Sequence, residues 1–356
     1  MSHNYHRTHG AAAVIAAVLL PALAGYSCRP KTAAGNTYVF EGETMGTTYT
    51  VKVVSEGLAP NQLDRLEKII GEELEDVNRK MSHYREDSEL STFNRYRDAA
   101  PFPISGQTFQ VFQEAESISV LTGGAFDVTA APLINLWGFG PTPPQDTLDT
   151  LPSDEAIAEA RDRVGYEKLV LDENGPTLRK LDPRLECDLS AIAKGYGVDR
   201  VAEALSSEGL PDYMVEVGGE IRSSGKNDAG EAWRIAIERP VPGESVVQRI
   251  IPLSGSAMAT SGGYRNFYEK DGKRYSHTID PRTGRPVTHA LASVSVIDRT
   301  CARADGLATG LLVLGPEEGY ALAVEHDLAA LFVVAERDGF RERATPAFEA
   351  FEKGVQ

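Results

Sequence analysis

Apolar residues recur along the chain in two periods, and each change of period marks a change of element. Leu63, Leu66, Ile69, Ile70, Leu74, Val77 and Met81 fall three and four residues apart, which predicts a long amphipathic helix. Phe109, Phe112, Ala115, Ile118 and Leu121 predict a second helix, closed by Gly123 and Gly124. From Val39 to Val54 the pattern reads instead as two strands around a Met45-Gly46 turn. A stretch rich in Pro and Gly runs from Gly138 to Pro152, after which Ser153 offers an N-cap for a short helix. An alternation ending at Asp188 gives way to helical spacing through Val198, Val201 and Leu205, so the segment between is expected to be a strand-to-helix turn. Strands dominate from Tyr213 to Ile297, with hairpin turns expected at Asn227-Asp228 and Lys270-Asp271-Gly272. Two helices between Thr300 and Glu325 precede a buried strand from Leu328 to Val334. Hairpins interleaved with helices predict an α+β fold, with a largely antiparallel sheet and inserted and flanking helices, over a doubly wound one. There is no internal repeat and no low-complexity tract.

With 356 residues, 42% of them apolar, the chain has material for a sizeable core in one large domain or two. A formal charge of −16 argues against a nucleic-acid role and against electrostatic adhesion to anionic lipid. The N-terminus changes the picture. His3, His6, Arg7 and His9 precede an apolar run from Ala11 to Leu23, interrupted only by Pro21, too short to span a bilayer comfortably and suited to a signal-peptide core. With Cys28 following, the segment resembles a bacterial lipoprotein signal, in which the cysteine is lipidated and becomes the mature N-terminus. Gly25 and Tyr26 depart from the residues usual there, and Ala22-Leu23-Ala24 offers ordinary signal peptidase another site. The expected organisation is a signal peptide over 1–27, a linker over 28–37 and one domain over 38–350, exported and lipid-anchored at Cys28 on the periplasmic side of a bacterial membrane. Export makes a disulfide between Cys187 and Cys301 chemically accessible, and sequence leaves open whether they pair or stay buried and free.

Chemistry concentrates late in the chain. Asp305 and Thr309 lie four apart on the helix expected from Thr300, so carboxylate and hydroxyl can point at one spot. Mg²⁺ takes oxygen ligands and is commonly held by one or two carboxylates plus substrate phosphates, so this pair needs a phosphate-bearing substrate to finish the shell. The bland alternative is an Asp placed by the helix dipole and a Thr bonded back to a carbonyl. Amides at the helix start after Asp188, with Lys194 one turn in, form an anion site; equally, Asp188 is an N-cap and Lys194 a solvated charge. His277 can accept a proton near neutral pH, with Asp280 to orient its ring, or be a satisfied core residue. Lys194, Arg222 and Arg265 are the cations available to offset an anionic ligand.

The motifs stand in a distinctive order: Thr44-Met45-Gly46-Thr47-Thr48-Tyr49, then Met81-Ser82 to Tyr84 with Ser88-Glu89-Leu90-Ser91 and Asn94, then Gly124-Ala125-Phe126-Asp127-Val128-Thr129. Leu136-Trp137-Gly138-Phe139-Gly140, the Asp188 segment through Lys194-Gly195-Tyr196-Gly197, Val217-Gly218-Gly219-Glu220-Ile221-Arg222 and the run from Met258 to Thr309 follow. In this order the chain closely resembles the FAD:protein FMN transferase, or ApbE-like, family over about residues 38–335. The resemblance implies that FAD is split with Mg²⁺ and its FMN half passed to a Ser or Thr hydroxyl of a target protein, releasing AMP. It also implies roles: Asp305, Thr309 and the Ala191 carbonyl hold the metal; Met45, Tyr84, Ala125, Phe126, Asp127, Asp188, Lys194 and Ile279 line the FAD site; His277 is the base. The implied partners are flavoprotein subunits of membrane redox complexes carrying a Ser/Thr acceptor motif. Gly306 and Ala191 stand where the family often has Ala and Gly, small departures that leave the activity standing. A hydrolase releasing FMN and AMP from FAD, and a flavin-binding protein without chemistry, are the rival readings.

Overall fold

The computed structural model describes residues 35–141, 151–172, 174–241, 246–263, 267–270 and 273–354. The expected signal segment with Cys28, most of the linker, residues 142–150 of the Pro- and Gly-rich stretch, Arg265 and the Asp271-Gly272 turn lie outside them. The chain enters through a hairpin, β1 (Asn36–Thr44) and β2 (Thr47–Ser55), in register from Asn36 opposite Ser55 to Thr44 opposite Thr47. Met45 and Gly46 make the turn at φ of 49° and 72°, positive at both central positions as a tight hairpin of right-twisted strands requires. Helix α1 (Pro60–Met81) begins with half of a capping box: the Gln62 amide oxygen accepts the Ala59 N–H, while the Ala59 side chain has nothing to offer in return. It buries Leu66, Ile70, Leu74, Val77 and Met81, the apolar stripe read from the sequence. Ser88, Ser105 and Ser153 cap α2 (Glu89–Arg95), α3 (Gly106–Leu121) and, after α4 (Ala131–Leu136), α5 (Asp154–Arg161). Strands β3 (Phe102–Pro103), β4 (Leu169–Asp172) and β5 (Thr177–Lys180) form a small three-stranded sheet.

After α6 (Ala193–Ser207) the chain is mostly strand: β6 (Tyr213–Val217), β7 (Glu220–Ser224), the pair β8 (Trp233–Glu238) and β9 (Val247–Leu253), then β10 (Ser256–Gly262). A hairpin of β11 (Phe267–Lys270) and β12 (Lys273–Ser276) and a short pair, β13 (Ile279–Asp280) and β14 (Arg285–Pro286), precede β15 (Leu291–Asp298). Helix α7 (Cys301–Glu325), β16 (Ala329–Glu336), β17 (Gly339–Ala344) and α8 (Pro346–Gly354) complete the order. Gly315, at φ 84° and just before Pro316, breaks α7 into the two helical pieces that the sequence predicts.

Eight strands form one antiparallel sheet in the order β1-β2-β6-β7-β10-β15-β16-β17. Alternation decides its two faces. Val51, Val53, Val215, Val217 and Ala257 pack against α1 and α6, whereas Val54, Met258, Ile297 and Leu331 pack against the β8–β9 pair and Phe348 of α8. The α+β architecture is the one expected.

Two local expectations are corrected and one open question is answered. Asn227-Asp228 does not join a hairpin, because β7 pairs with β6 and β10 while β8 leaves to pair with β9. The turn chemistry is real: the Asn227 side-chain oxygen accepts the N–H groups of Ala229 and Glu231, which curls the loop without pairing its flanks. Nor is Asp188 at a strand-to-helix junction, since β5 ends at Lys180 and α6 starts at Ala193; Lys194 is therefore in the first turn of α6 and Ile192, not Asp188, is its N-cap. Cys187 and Cys301 are free, buried thiols.

Candidate functional site

The closest approach of the two site helices is set by a glycine. A Cβ built on Gly195 of α6 would lie 2.4 Å from the carbonyl oxygen of Cys301 at the start of α7, so no larger residue lets these backbones meet. Contact this close allows the Gly195 N–H to donate to Asp305 Oδ2 at 3.1 Å. Asp199, one turn further along α6, accepts the Cys301 and Ala302 N–H groups, both at 2.9 Å, and Arg222 at 2.7 Å. Thr300, the formal N-cap of α7, makes no side-chain cap bond, so Asp199 caps α7 from the neighbouring helix. Arg222, expected as a cation for the site, is thereby committed to Asp199.

Asp305 sits just over one turn into α7 and is buried; Lys194 Nζ lies 3.6 Å from its Oδ2 and 3.2 Å from Glu220 Oε1. Two buried carboxylates share one ammonium. Burial pushes Glu220 up to about 8, and also raises Asp305, while Asp305 and Glu220 hold Lys194 above its ordinary range against the opposing effect of burial. Glu220 Oε2 has no hydrogen-bond partner among the described residues. Burial thus leaves a proton on Glu220 near neutral pH, and a cation could take that proton's place. The Asp305 carboxylate, the Thr309 hydroxyl and a carbonyl at Ala191 are hard oxygen donors of the kind Mg²⁺ takes. Thr309 Oγ1 lies 3.0 Å from Ser261 Oγ of β10, aligned outward by a neighbouring strand rather than bonded back along its own helix. Among the described residues no three His, Cys, Asp or Glu side chains converge as a metal cage.

These groups open into a cleft of about 720 Å³, large enough for a dinucleotide-sized ligand. Tyr84, Ala125, Phe126, Asp127, Asp188, Ala191, Lys194, His277, Ile279, Asp305 and Thr309 all line it. Met45 does not; it is half-buried on the β1–β2 turn beside the lining residues Thr47 and Thr48, and its methyl packs where a Gly197 Cβ would be, at 2.8 Å. Burial pushes Asp127 up to about 6, opposing the bonds it accepts from Thr129 and the Tyr166 N–H. Asp188 is equally enclosed, and burial works against its charge, yet the His83 imidazole at 2.9 Å and Ser190 hold it below the usual carboxylate range. His277 stands edge-on to Phe139 at the end of a run of rings in which Phe139 stacks on Tyr268, Tyr268 on Tyr275 and Tyr275 on Trp137. Both carboxylate oxygens of Asp280 accept bonds from Arg282. Sequence reasoning passed over Glu220, Asp199, Ser261 and His83 as site residues. Glu220 carried a signal, the Gly218-Gly219 turn before it; His83 carried none.

Comparison with known proteins gives the family. A model of the ApbE family matches residues 45–332. The FAD:protein FMN transferase of Vibrio cholerae is 49% identical over 311 residues, covering 87% of this chain and 91% of the relative, and that of Haemophilus influenzae is 44% identical over 312 residues, covering 86% and 89%. Among solved structures, the flavin transferase ApbE from Vibrio cholerae superposes at a TM-score of 0.81 with 48% identity, over 89% of this chain and 99% of that one. The apo flavinyl transferase ApbE of Pseudomonas stutzeri superposes equally well, at 0.81 and 41% identity, over 89% and 97%. Fold and cleft thus define an enzyme of the flavin-transferase class. The chain belongs to the ApbE family.

Proposed function

We propose that this enzyme transfers FMN from FAD to a Ser or Thr hydroxyl of a target flavoprotein, in a Mg²⁺-dependent reaction that releases AMP. The observation that carries the proposal is the buried Asp305–Lys194–Glu220 cluster, two carboxyl groups to one ammonium, opening with Thr309 into the cleft that His277 also lines. In the reaction the acceptor oxygen bonds to the phosphorus of the FMN half as the P–O bond to AMP breaks, and AMP leaves with the bonding pair. Phosphoryl transfer of this kind is accelerated mainly by positioning and by stabilising charge. A bound Mg²⁺ would neutralise charge on the diphosphate; Asp305, Thr309 and the Ala191 carbonyl are the residues to hold it. Lys194 adds a fixed ammonium in the first turn of α6, where helix amides also favour an anion. His277 would take the acceptor proton. Targets are subunits of membrane redox complexes with a Ser/Thr acceptor motif, and lipidation at Cys28 would hold the enzyme beside them on the periplasmic side.

The test is incubation with FAD, Mg²⁺ and a candidate target, followed by intact mass of the target and assay of free FMN. A mass gain equal to an FMN ester supports transfer. Stoichiometric free FMN with unmodified target indicates FAD hydrolysis instead, and neither product indicates binding alone.

A further inference from the structure

One polar atom at the cleft has no role in the chemistry above. His83 lies between α1 and α2 with its side chain 9% exposed, and its Nδ1 is 2.9 Å from Asp188 Oδ1 and 3.3 Å from Ser190 Oγ. Its Nε2 is buried without a hydrogen-bond partner among the described residues. Buried side-chain polar atoms are nearly always paired, and an orphan beside a ligand cleft is explained when the ligand supplies the partner. Asp188 and Ser190 fix the ring: a carboxylate holding one imidazole nitrogen sets the orientation of the other. The neighbouring Tyr84 ring, 66% exposed, lies 4.2 Å from the His83 ring at 35°. An exposed aromatic face beside the cleft is available to stack on a planar ligand.

We infer that His83 contacts substrate: its Nε2 hydrogen-bonds the edge of a planar heterocycle of FAD lying against Tyr84, and Asp188 acts on the substrate partly through His83 as a positioning residue. The inference rests on FAD being the bound dinucleotide. It makes His83 a determinant of affinity rather than of the chemical step, because the contact is the same before and during phosphoryl transfer. FAD carries two such rings, adenine and isoalloxazine, each with donors and acceptors along its edge.

Binding measured without acceptor protein tests it, using flavin fluorescence or equilibrium dialysis with FAD, and ADP and FMN as separate probes. Binding of FAD by the wild-type chain checks the underlying reading independently. His83→Asn places an amide nitrogen near the Nδ1 position, so the bond to Asp188 survives while Nε2 is lost. FAD should bind about tenfold more weakly, as loss of one hydrogen bond implies, with kcat at saturating FAD unchanged. His83→Gln, whose amide extends toward the Nε2 position, should bind FAD more tightly than His83→Asn. The weakening should appear against either ADP or FMN, which names the ring. FAD affinity within twofold of wild type in His83→Asn, a Gln variant no better than the Asn variant, a loss confined to kcat, or no weakening against either ADP or FMN would each overturn the assignment.

Discussion

Gly195→Ala is the sharpest test of how the two site helices are held. Within a helix the substitution ordinarily stabilises by about 0.5–1 kcal/mol, because Ala loses less backbone freedom. Here the added methyl would lie 2.4 Å from the Cys301 oxygen, 2.6 Å from its carbonyl carbon and 2.8 Å from the Ala302 nitrogen. Ordinary contact needs about 3.5 Å, so α6 and α7 must part by about 1 Å. All three atoms are backbone, and no side-chain rotation relieves them. Overpacking of this kind costs about 1–3 kcal/mol, and stretching the Asp199 cap adds about 1 kcal/mol more. The clash therefore wins over propensity, for a net loss of about 1–3 kcal/mol and roughly 2–5 °C in Tm for a chain of this length. The Gly195 bond to Asp305 is disturbed too, so Mg²⁺ titration should show weaker dependence on the metal. Gly71→Ala, on α1 with nothing within 4 Å of the new methyl, is the control and should gain about 0.5–1 kcal/mol. Thermal melts of both variants decide the matter: a Gly195→Ala protein as stable as Gly71→Ala would show that the helices are not in fixed contact.

Asp305→Ala should abolish Mg²⁺-dependent turnover while Thr309→Val weakens it less, and calorimetry should find tighter Mg²⁺ binding with FAD present than without; equal affinities would contradict a shell completed by substrate. His277→Ala should keep FAD binding and lose transfer by on the order of 10² to 10⁴, and wild-type transfer rates would remove it as the base. Asp127, pushed up to about 6 from 3.8, keeps its proton in the folded protein over a range where the unfolded chain has lost it, so stability falls as pH rises from about 4 to about 6. The loss is on the order of 2–3 kcal/mol, and Asp127→Asn should flatten the Tm profile across that window; parallel profiles would refute the burial effect. The mature chain should begin at Cys28 and partition with membranes, with Cys28→Ser soluble yet active on a detached target; an N-terminus at Gly25 by mass spectrometry would favour soluble export.

The sequence by itself determined the elements and most of the site's membership. Helical and alternating periods located α1, α3 and the β1–β2 hairpin, because an element that buries one face must repeat apolar residues at its own period. Motif order marked the residues that line the cleft, all but Met45, whose side chain turns to Gly197 instead. Tertiary structure decided what each of them faces. Asn227 is a turn residue in both accounts, but strand pairing is non-local, and only the assembled sheet sends β8 to β9 rather than back along β7. Nothing in the spacing of Asp199, Arg222 and Cys301 reveals that a carboxylate on α6 caps α7, because the partners are separated by 23 and 102 residues. Electrostatics is decided the same way. Glu220 and Asp305 are ordinary carboxylates in a sequence; their proton affinity rises only when α6, α7 and β7 bring them around one lysine and exclude the water that would otherwise solvate them.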